Sequence, residues 1–100
     1  DVLVVPSLID GRPLVISEAQ LRGVAVVASH TGAIPDLVSH GKTGLLCDPG
    51  DAPAFAAALL KLADDRAMMA RLAVQARHVA LAREAPAQRM ARYLDAILGV

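Results

Sequence analysis

Apolar residues in the first half of the chain occur in short unbroken runs that are separated by turn-forming residues. The first run is Val2-Leu3-Val4-Val5, and two others span residues 24–28 and 45–47. An unbroken, β-branched run is typical of a strand that is buried on both faces, as in parallel sheets. The three runs therefore predict three strands of a parallel sheet.

Helical segments are predicted between these strands. The pattern indicates a helix from about Leu14 to Arg22, with Pro13 at its start and Gly23 at its end. One or two further helical turns are expected over residues 34–40. Alternation of strand and helix with short loops predicts the α/β class, with parallel pairing and right-handed crossovers.

The second half of the chain has a helical period and no strand signal. Asp51 is predicted as the N-cap of one helix, and a break at Asp64-Asp65 begins the next. The expected apolar faces are Phe55, Leu59, Leu62 and Ala63 on the first helix and Met69, Leu72, Ala76, Val79 and Ala80 on the second. A last helix is predicted from about residue 84, with the apolar face Met90, Tyr93, Leu94, Ile97 and Leu98. We expect residues 1–50 and 51–100 to form two parts of one domain.

Composition and charge narrow the class of protein. Ten basic residues balance ten acidic ones, 55 % of residues are apolar, and Phe55 and Tyr93 are the only aromatic residues. This balance argues against a disordered chain and against a nucleic-acid partner, which would favour excess basic or stacking residues. The single Cys47 cannot form an internal disulfide, and no apolar run reaches the about 18 residues of a membrane span. A cytoplasmic protein is expected, with only peripheral contact to the inner membrane face through its scattered arginines.

One stretch combines two acids with a helix start. Asp10 lies in the loop after the first strand, and Glu18 lies eight positions on, within the following helix. Ligands of open α/β sheets bind beyond the carboxyl ends of the strands, and helix N-termini suit phosphate groups. A carboxylate near such a helix start can accept hydrogen bonds from two ribose hydroxyls. In chemical terms this describes a site for a phosphorylated sugar or a nucleotide. Spacing alone favours the alternative, in which Asp10 caps the helix and Glu18 is a surface acid.

Residues 1–49 resemble the C-terminal donor-binding domain of family 4 retaining glycosyltransferases, which have the GT-B fold. The resemblance rests on seven pieces in the family's order. They are Val4-Val5-Pro6-Ser7, Asp10-Gly11, Glu18-Ala19, Gly23-Val24-Ala25-Val26-Val27-Ala28, Gly32-Ala33-Ile34-Pro35-Asp36, Gly41-Lys42-Thr43-Gly44-Leu45-Leu46 and Asp48-Pro49-Gly50-Asp51. The resemblance implies a Rossmann-like parallel sheet, as part of a GT-B domain, followed by a helical segment.

The family's roles can be carried over to matching positions. Asp10, the catalytic residue of the set, would contact hydroxyls of the donor sugar, and Glu18 would hold the ribose of the nucleotide. The loop of Gly11, Arg12, Pro13 and Leu14 would approach the sugar and diphosphate, and the amides of Leu14 and Val15 would face phosphate. The family usually has Glu where this chain has Asp10, so the first carboxylate is one methylene shorter.

The resemblance implies a hexosyltransferase-like enzyme that takes a nucleotide-diphosphate sugar and transfers the sugar with retention. It requires neither a cofactor nor a metal. The chain opens inside a strand and lacks the family's upstream Arg and Lys and its N-terminal acceptor domain, which points to a segment of a longer protein. We therefore expect residues 1–100 alone to be inactive and to self-associate through exposed apolar surface. The alternatives are a nucleotide-sugar epimerase of GT-B type and a non-catalytic interaction module that keeps the fold.

Other polar residues give weaker signals. His30, His40 and His78 do not share a metal-ligand spacing, and each is interpreted as a loop or surface histidine. Cys47 is expected to be a small apolar filler on a buried strand. The arginines of the second half are expected to form a solvated face; they are Arg66, Arg71, Arg77, Arg83, Arg89 and Arg92.

Overall fold

The structure, a computed structural model, describes residues 2–6 and 13–83, with the backbone but not the side chain of Pro13. Strands and helices alternate in the first half, and two longer helices follow. In chain order the elements are β1 (Val2–Val5), α1 (Pro13–Leu21), β2 (Ala25–Ser29), α2 (Ile34–Leu37), β3 (Leu45–Cys47), α3 (Ala52–Asp64) and α4 (Arg66–Arg83).

The three strands form one parallel sheet in the order β1-β2-β3. Val2 lies opposite Ala25, and Val27 lies opposite Leu45. The expected strands and their parallel pairing are therefore confirmed. Since both connections are crossovers, the carboxyl ends of all three strands lie at one edge of the sheet.

Burial differs sharply between the first two strands. All five residues of β2 are buried, as its apolar run predicts. For β1 the expectation of burial on both faces was wrong, because only Val5 is buried and Val4 is 37 % exposed. Among the described residues β1 pairs with β2 alone, whereas β2 pairs with both β1 and β3.

The core lies on both faces of the sheet. Alternate residues of β2 point to opposite faces, so Val26 and Ala28 belong to one apolar cluster and Val27 to the other. The first cluster joins the sheet to α1 and α2 and consists of Val5, Ile16, Ala19, Val26, Ala28, Ile34 and Val38. The second joins it to α3 and α4 and consists of Val27, Leu45, Cys47, Phe55, Leu62, Met68 and Leu72.

Aspartates begin both long helices. Asp51 Oδ1 accepts the backbone N–H of Ala54 at 3.0 Å, and Asp65 Oδ1 accepts that of Met68 at 2.9 Å. Such caps satisfy backbone donors that the first helical turn leaves without a partner. The predicted N-cap and the predicted break between the helices are both confirmed.

The apolar faces of these helices were predicted only in part. Phe55 and Leu62 are buried, but Ala63, next to the end of α3, is exposed. On α4, Val79 is 37 % exposed and Met68, rather than Met69, is buried. Helix α4 packs against α1 as well as β2, so its buried face is wider and is rotated from a simple stripe. It consists of Met68, Leu72, Ala73, Ala76 and Ala80. The helix expected from residue 84 lies outside the described residues.

Candidate functional site

Helix α1 follows the carboxyl end of β1 and begins at Pro13, the residue predicted to start it. Proline suits a first helical position because the N–H it lacks has no partner there. The next two residues face outward, Leu14 being 74 % and Val15 37 % exposed. The side chains of this first turn therefore do not belong to the apolar core, and the positive end of the helix dipole lies at this turn.

Glu18 lies on an exposed face of α1 beside the outer edge of the sheet. It lines a cleft of about 290 Å³ together with Val2 and Leu3 of β1 and with Val15 and Arg22 of α1. Residues 15, 18 and 22 recur at helical spacing, which places them on one side of the helix. The structure thus brings a carboxylate and a guanidinium, one turn apart, to the wall of one cleft.

Three of the predicted site residues, Asp10, Gly11 and Arg12, lie outside the described residues. Pro13, Leu14 and Val15 form the first turn of α1 as predicted, but Leu14 does not line the cleft that contains Glu18. Of the predicted set, the structure brings Val15 and Glu18 together. The contact of Asp10 with hydroxyls of the donor sugar stays a prediction.

Two buried polar residues near the site were not predicted. Ser29 ends β2, and its hydroxyl donates to the carbonyl oxygen of Val5 at 3.3 Å. This bond joins the carboxyl ends of two strands at the point where the loop toward Asp10 departs. Gln20, on α1, is 1 % exposed. The sequence signal that could have indicated them was a lone polar residue in an apolar setting. Ser29 ends the apolar run of β2, and Gln20 lies on the inner side of α1.

The histidines lie apart from this cleft. His30 is exposed directly after β2, and His78 is exposed on α4. His40 is exposed too, but its Nδ1 accepts the backbone N–H of Leu46 at 2.9 Å, so it also supports the start of β3. Over residues 2–6 and 13–83, no group of three or more His, Cys, Asp or Glu residues is arranged to hold a metal ion.

Cys47 is buried at the end of β3, as the filler interpretation predicts. Burial raises the pKa of its thiol, and the nearby carboxylates of Asp51 and Asp48 raise it further. A raised pKa keeps the thiol protonated at neutral pH, and the thiolate is the reactive form.

We expect iodoacetamide to alkylate Cys47 in the folded chain at least about tenfold more slowly than a free cysteine at pH 7.5. The rate of alkylation would be followed by mass spectrometry. It should rise with pH, because a larger fraction of the thiol is then ionised to the reactive thiolate. The same chain unfolded in urea is the control and should react at the free rate. Equal rates in the folded and unfolded chain would contradict the assignment of Cys47 as a protected core residue.

The parallel sheet, the crossover helices and the cleft beside the first strand define a Rossmann-like α/β domain. Residues 1–65 match the family of glycosyl transferases group 1, and the chain belongs to this family. The resemblance seen in the sequence is thereby confirmed at the level of this family.

Related proteins agree with this assignment. The chain is 42 % identical over 78 residues to the D-inositol 3-phosphate glycosyltransferase of Streptomyces avermitilis, an alignment that covers 77 % of the chain and 17 % of the relative. The chain thus spans less than a fifth of the length of that relative.

Solved structures share the fold over nearly all of the chain. Sucrose-phosphate synthase from Thermosynechococcus elongatus has a TM-score of 0.80 at 34 % identity, covering 98 % of this chain and 25 % of that protein. Anabaena HepE in complex with UDP has a TM-score of 0.80 at 31 % identity, covering 96 % and 28 %. The same Anabaena protein in complex with UDP-glucose has a TM-score of 0.76 at 29 % identity, covering 96 % and 28 %. The expected fold class, a Rossmann-like part of a GT-B domain, is confirmed.

No helix within residues 2–6 and 13–83 is long and apolar enough to cross a membrane.

Proposed function

We propose that this chain is the donor-binding part of a family 4 retaining glycosyltransferase, and that its donor is a uridine diphosphate sugar. The observation that carries the proposal is Glu18, exposed on α1 in a cleft beside β1. The complexes of Anabaena HepE with UDP and with UDP-glucose, which share this fold, support the choice of nucleotide.

In this proposal Glu18 holds the ribose. An ionised carboxylate is an acceptor only and has two oxygens, so it can accept one hydrogen bond from each of two neighbouring hydroxyls. Hydrogen bonds to a charged acceptor are stronger than neutral ones. Arg22, which lines the same cleft one turn further on, adds positive charge beside the carboxylate.

The first turn of α1 faces the diphosphate. Pro13 has no N–H to donate, so the amides of Leu14 and Val15 are the first donors of the helix. Together with the helix dipole they would offset negative charge on the leaving diphosphate. Gly11 and Arg12 precede this turn and would bring backbone and one cation close to the donor.

Asp10 would contact hydroxyls of the donor sugar and fix the orientation of its anomeric carbon. The sugar, a hexose, would then pass with retention to an acceptor held by an N-terminal domain of the complete protein. The proposal requires neither a metal nor a cofactor, and residues 1–100 alone would bind donor without turnover.

The first test is calorimetric titration of the complete glycosyltransferase with UDP-glucose. Glu18→Ala should weaken binding by about 100-fold or more, because two hydrogen bonds to a charged acceptor, each worth about 1.5–3 kcal/mol, are lost. Glu18→Gln keeps the shape of the side chain but loses its charge. Its affinity for UDP-glucose should lie between those of the wild type and Glu18→Ala.

Asp64→Ala is the matched control, since Asp64 is an exposed acid at the distant end of α3, and it should bind UDP-glucose as the wild type does. Unchanged affinity of Glu18→Ala would reject the ribose role and support the interaction-module alternative. Formation of an epimerised nucleotide sugar in the absence of acceptor, followed by NMR, would instead support the epimerase alternative.

A further inference from the structure

Gln20 is a buried amide whose two ends bind different helices. It is 1 % exposed. Its Nε2 donates to the carbonyl oxygen of Leu37, the last residue of α2, at 2.9 Å. Its Oε1 accepts from Nη2 of Arg83 on α4 at 3.0 Å. One side chain of α1 is thereby joined to two other helices.

A second contact joins α1 to α4. Nε of Arg77 donates to the carbonyl oxygen of Leu21, the last residue of α1, at 3.0 Å. A cation is favourable there because the last carbonyls of a helix carry partial negative charge. Arg77 and Arg83 lie six residues apart, which is about 9 Å along the axis of α4. The arginines of this helix are exposed as expected, but these two also fix α1.

The contacts of the Gln20 side chain lie on the side of α1 that faces away from the cleft. Residues of a helix follow each other by about 100°, so Gln20 lies about 200° around the axis from Glu18. Ile16, which is fully buried, packs in the core on the inner side of the same helix. The inner side is therefore fixed by packing and by polar bonds, while Glu18 projects from the outer side.

Because the inner side of α1 is held in place, the helix cannot rotate about its axis, and the direction in which the Glu18 side chain projects is set. Side-chain ends lie about 5–6 Å from a helix axis, so a rotation of about 10° moves them by about 1 Å. Such a displacement lengthens a hydrogen bond of 2.8 Å beyond its useful range. The close packing around Ile16 resists such a rotation. The bonds of Gln20 are directional and add to this resistance at the end of the helix that follows Glu18.

We propose that Gln20 and Arg83 are positioning residues, which set the rotation of α1 and thereby place the Glu18 carboxylate against the ribose hydroxyls of the nucleotide. This inference rests on the proposed function. Neither residue touches the nucleotide. Backbone amides lie nearer the helix axis than side-chain ends and move less in the same rotation, so the effect passes chiefly through Glu18 and depends on the hydroxyls that Glu18 binds.

The experiment compares two ligands on the complete glycosyltransferase, UDP and 2′,3′-dideoxyuridine diphosphate, by calorimetry. The wild type should bind UDP the more tightly, and the ratio of the two dissociation constants measures the hydroxyl contact. Arg83→Met should lower this ratio by about tenfold, the effect of one impaired hydrogen bond to a charged group. Its affinity for the dideoxy ligand should stay within about twofold.

Three further variants complete the design. Arg83→Lys keeps a cationic donor and should restore most of the ratio. Arg71→Met removes an exposed arginine of the same helix and should leave both affinities unchanged. Arg77→Met removes the other bond between α4 and α1 and should lower the ratio as Arg83→Met does. It replaces Arg83→Met in the test if that variant does not fold.

The outcomes separate the two proposals. Equal weakening of both ligands in Arg83→Met and in Arg77→Met, with the ratio unchanged, would indicate a general loss of structure and would overturn the positioning role. An unchanged ratio in Arg83→Met and Arg77→Met, with a clear preference for UDP in the wild type, would overturn this inference and leave the proposed function standing. A wild type that binds neither ligand, or both equally, would overturn the ribose role of Glu18 and this inference with it.

Discussion

Leu72→Ala should lower the free energy of unfolding by about 3 kcal/mol, within the range of 2–5 kcal/mol for such truncations in a core. Leu72 is fully buried on α4 and packs in the cluster that contains Val27, Phe55 and Leu62. Removing its three outer carbons leaves a cavity between α4 and the sheet that these neighbours can fill only in part. Urea unfolding followed by far-UV circular dichroism measures the loss, since the chain has no Trp to report by fluorescence.

Val74→Ala is the control for this prediction. Val74 lies on the same helix but is 70 % exposed, so its truncation should change the free energy of unfolding by no more than about 0.5 kcal/mol. Equal effects of the two substitutions would mean that α4 does not pack on the sheet through Leu72.

Gly44→Ala should cost about 3 kcal/mol of folding free energy, at the upper end of what overpacking usually costs. A methyl group on Gly44 would lie 2.7 Å from Cγ1 of Val38 and 2.8 Å from the carbonyl oxygen of Val26. The valine side chain could rotate away, but the carbonyl belongs to the central strand and cannot move without disturbing the sheet. Thermal unfolding should show the loss as a lower midpoint temperature.

Gly41→Ala is the matched control, three residues earlier in the same turn. Gly41 has a φ of +79° and open space where a Cβ would lie. Its substitution carries only the cost of a left-handed backbone, about 1 kcal/mol. Should Gly41→Ala prove the more damaging of the two, the close approach of Gly44 to β2 would be wrong.

Most elements of the fold could be predicted because local signals and packing agree. Strands β1 and β3 have the predicted bounds, and helix α1 is displaced by a single residue at each end. The short helix α2 ends at Leu37 rather than near His40. Its last turn was not predictable, because the N–H of Ser39 bonds to the hydroxyl of Thr43 and begins a turn instead.

Burial was harder to predict than secondary structure. The apolar run of β1 resembles that of β2, but the sequence does not show which strand lies at the centre of the sheet. The buried face of α4 was misplaced because this helix packs against three elements, α1, β2 and α3. Alanine contributed to the error, because it occurs on both the buried and the exposed sides of this helix.

The placement of Glu18 on α1 could be predicted from the sequence, whereas the roles of the site residues stay predictions. The position of Glu18 follows from the start of α1 and the spacing of its acid. The roles of Gln20 and Arg83 could not be predicted, because the two residues are 63 positions apart and only tertiary packing brings them together.

The match to the glycosyl transferases group 1 family ends at residue 65, where helix α4 has not yet begun. Yet α4 packs on α1 and β2 and supplies both arginines that hold α1. A truncation at residue 65 would keep every residue of the family match. It would remove the helix whose packing and two arginine hydrogen bonds hold α1 in place. Transfer of the proposed donor site into a second protein of the glycosyl transferases group 1 family should therefore include residues 66–83 together with the motif.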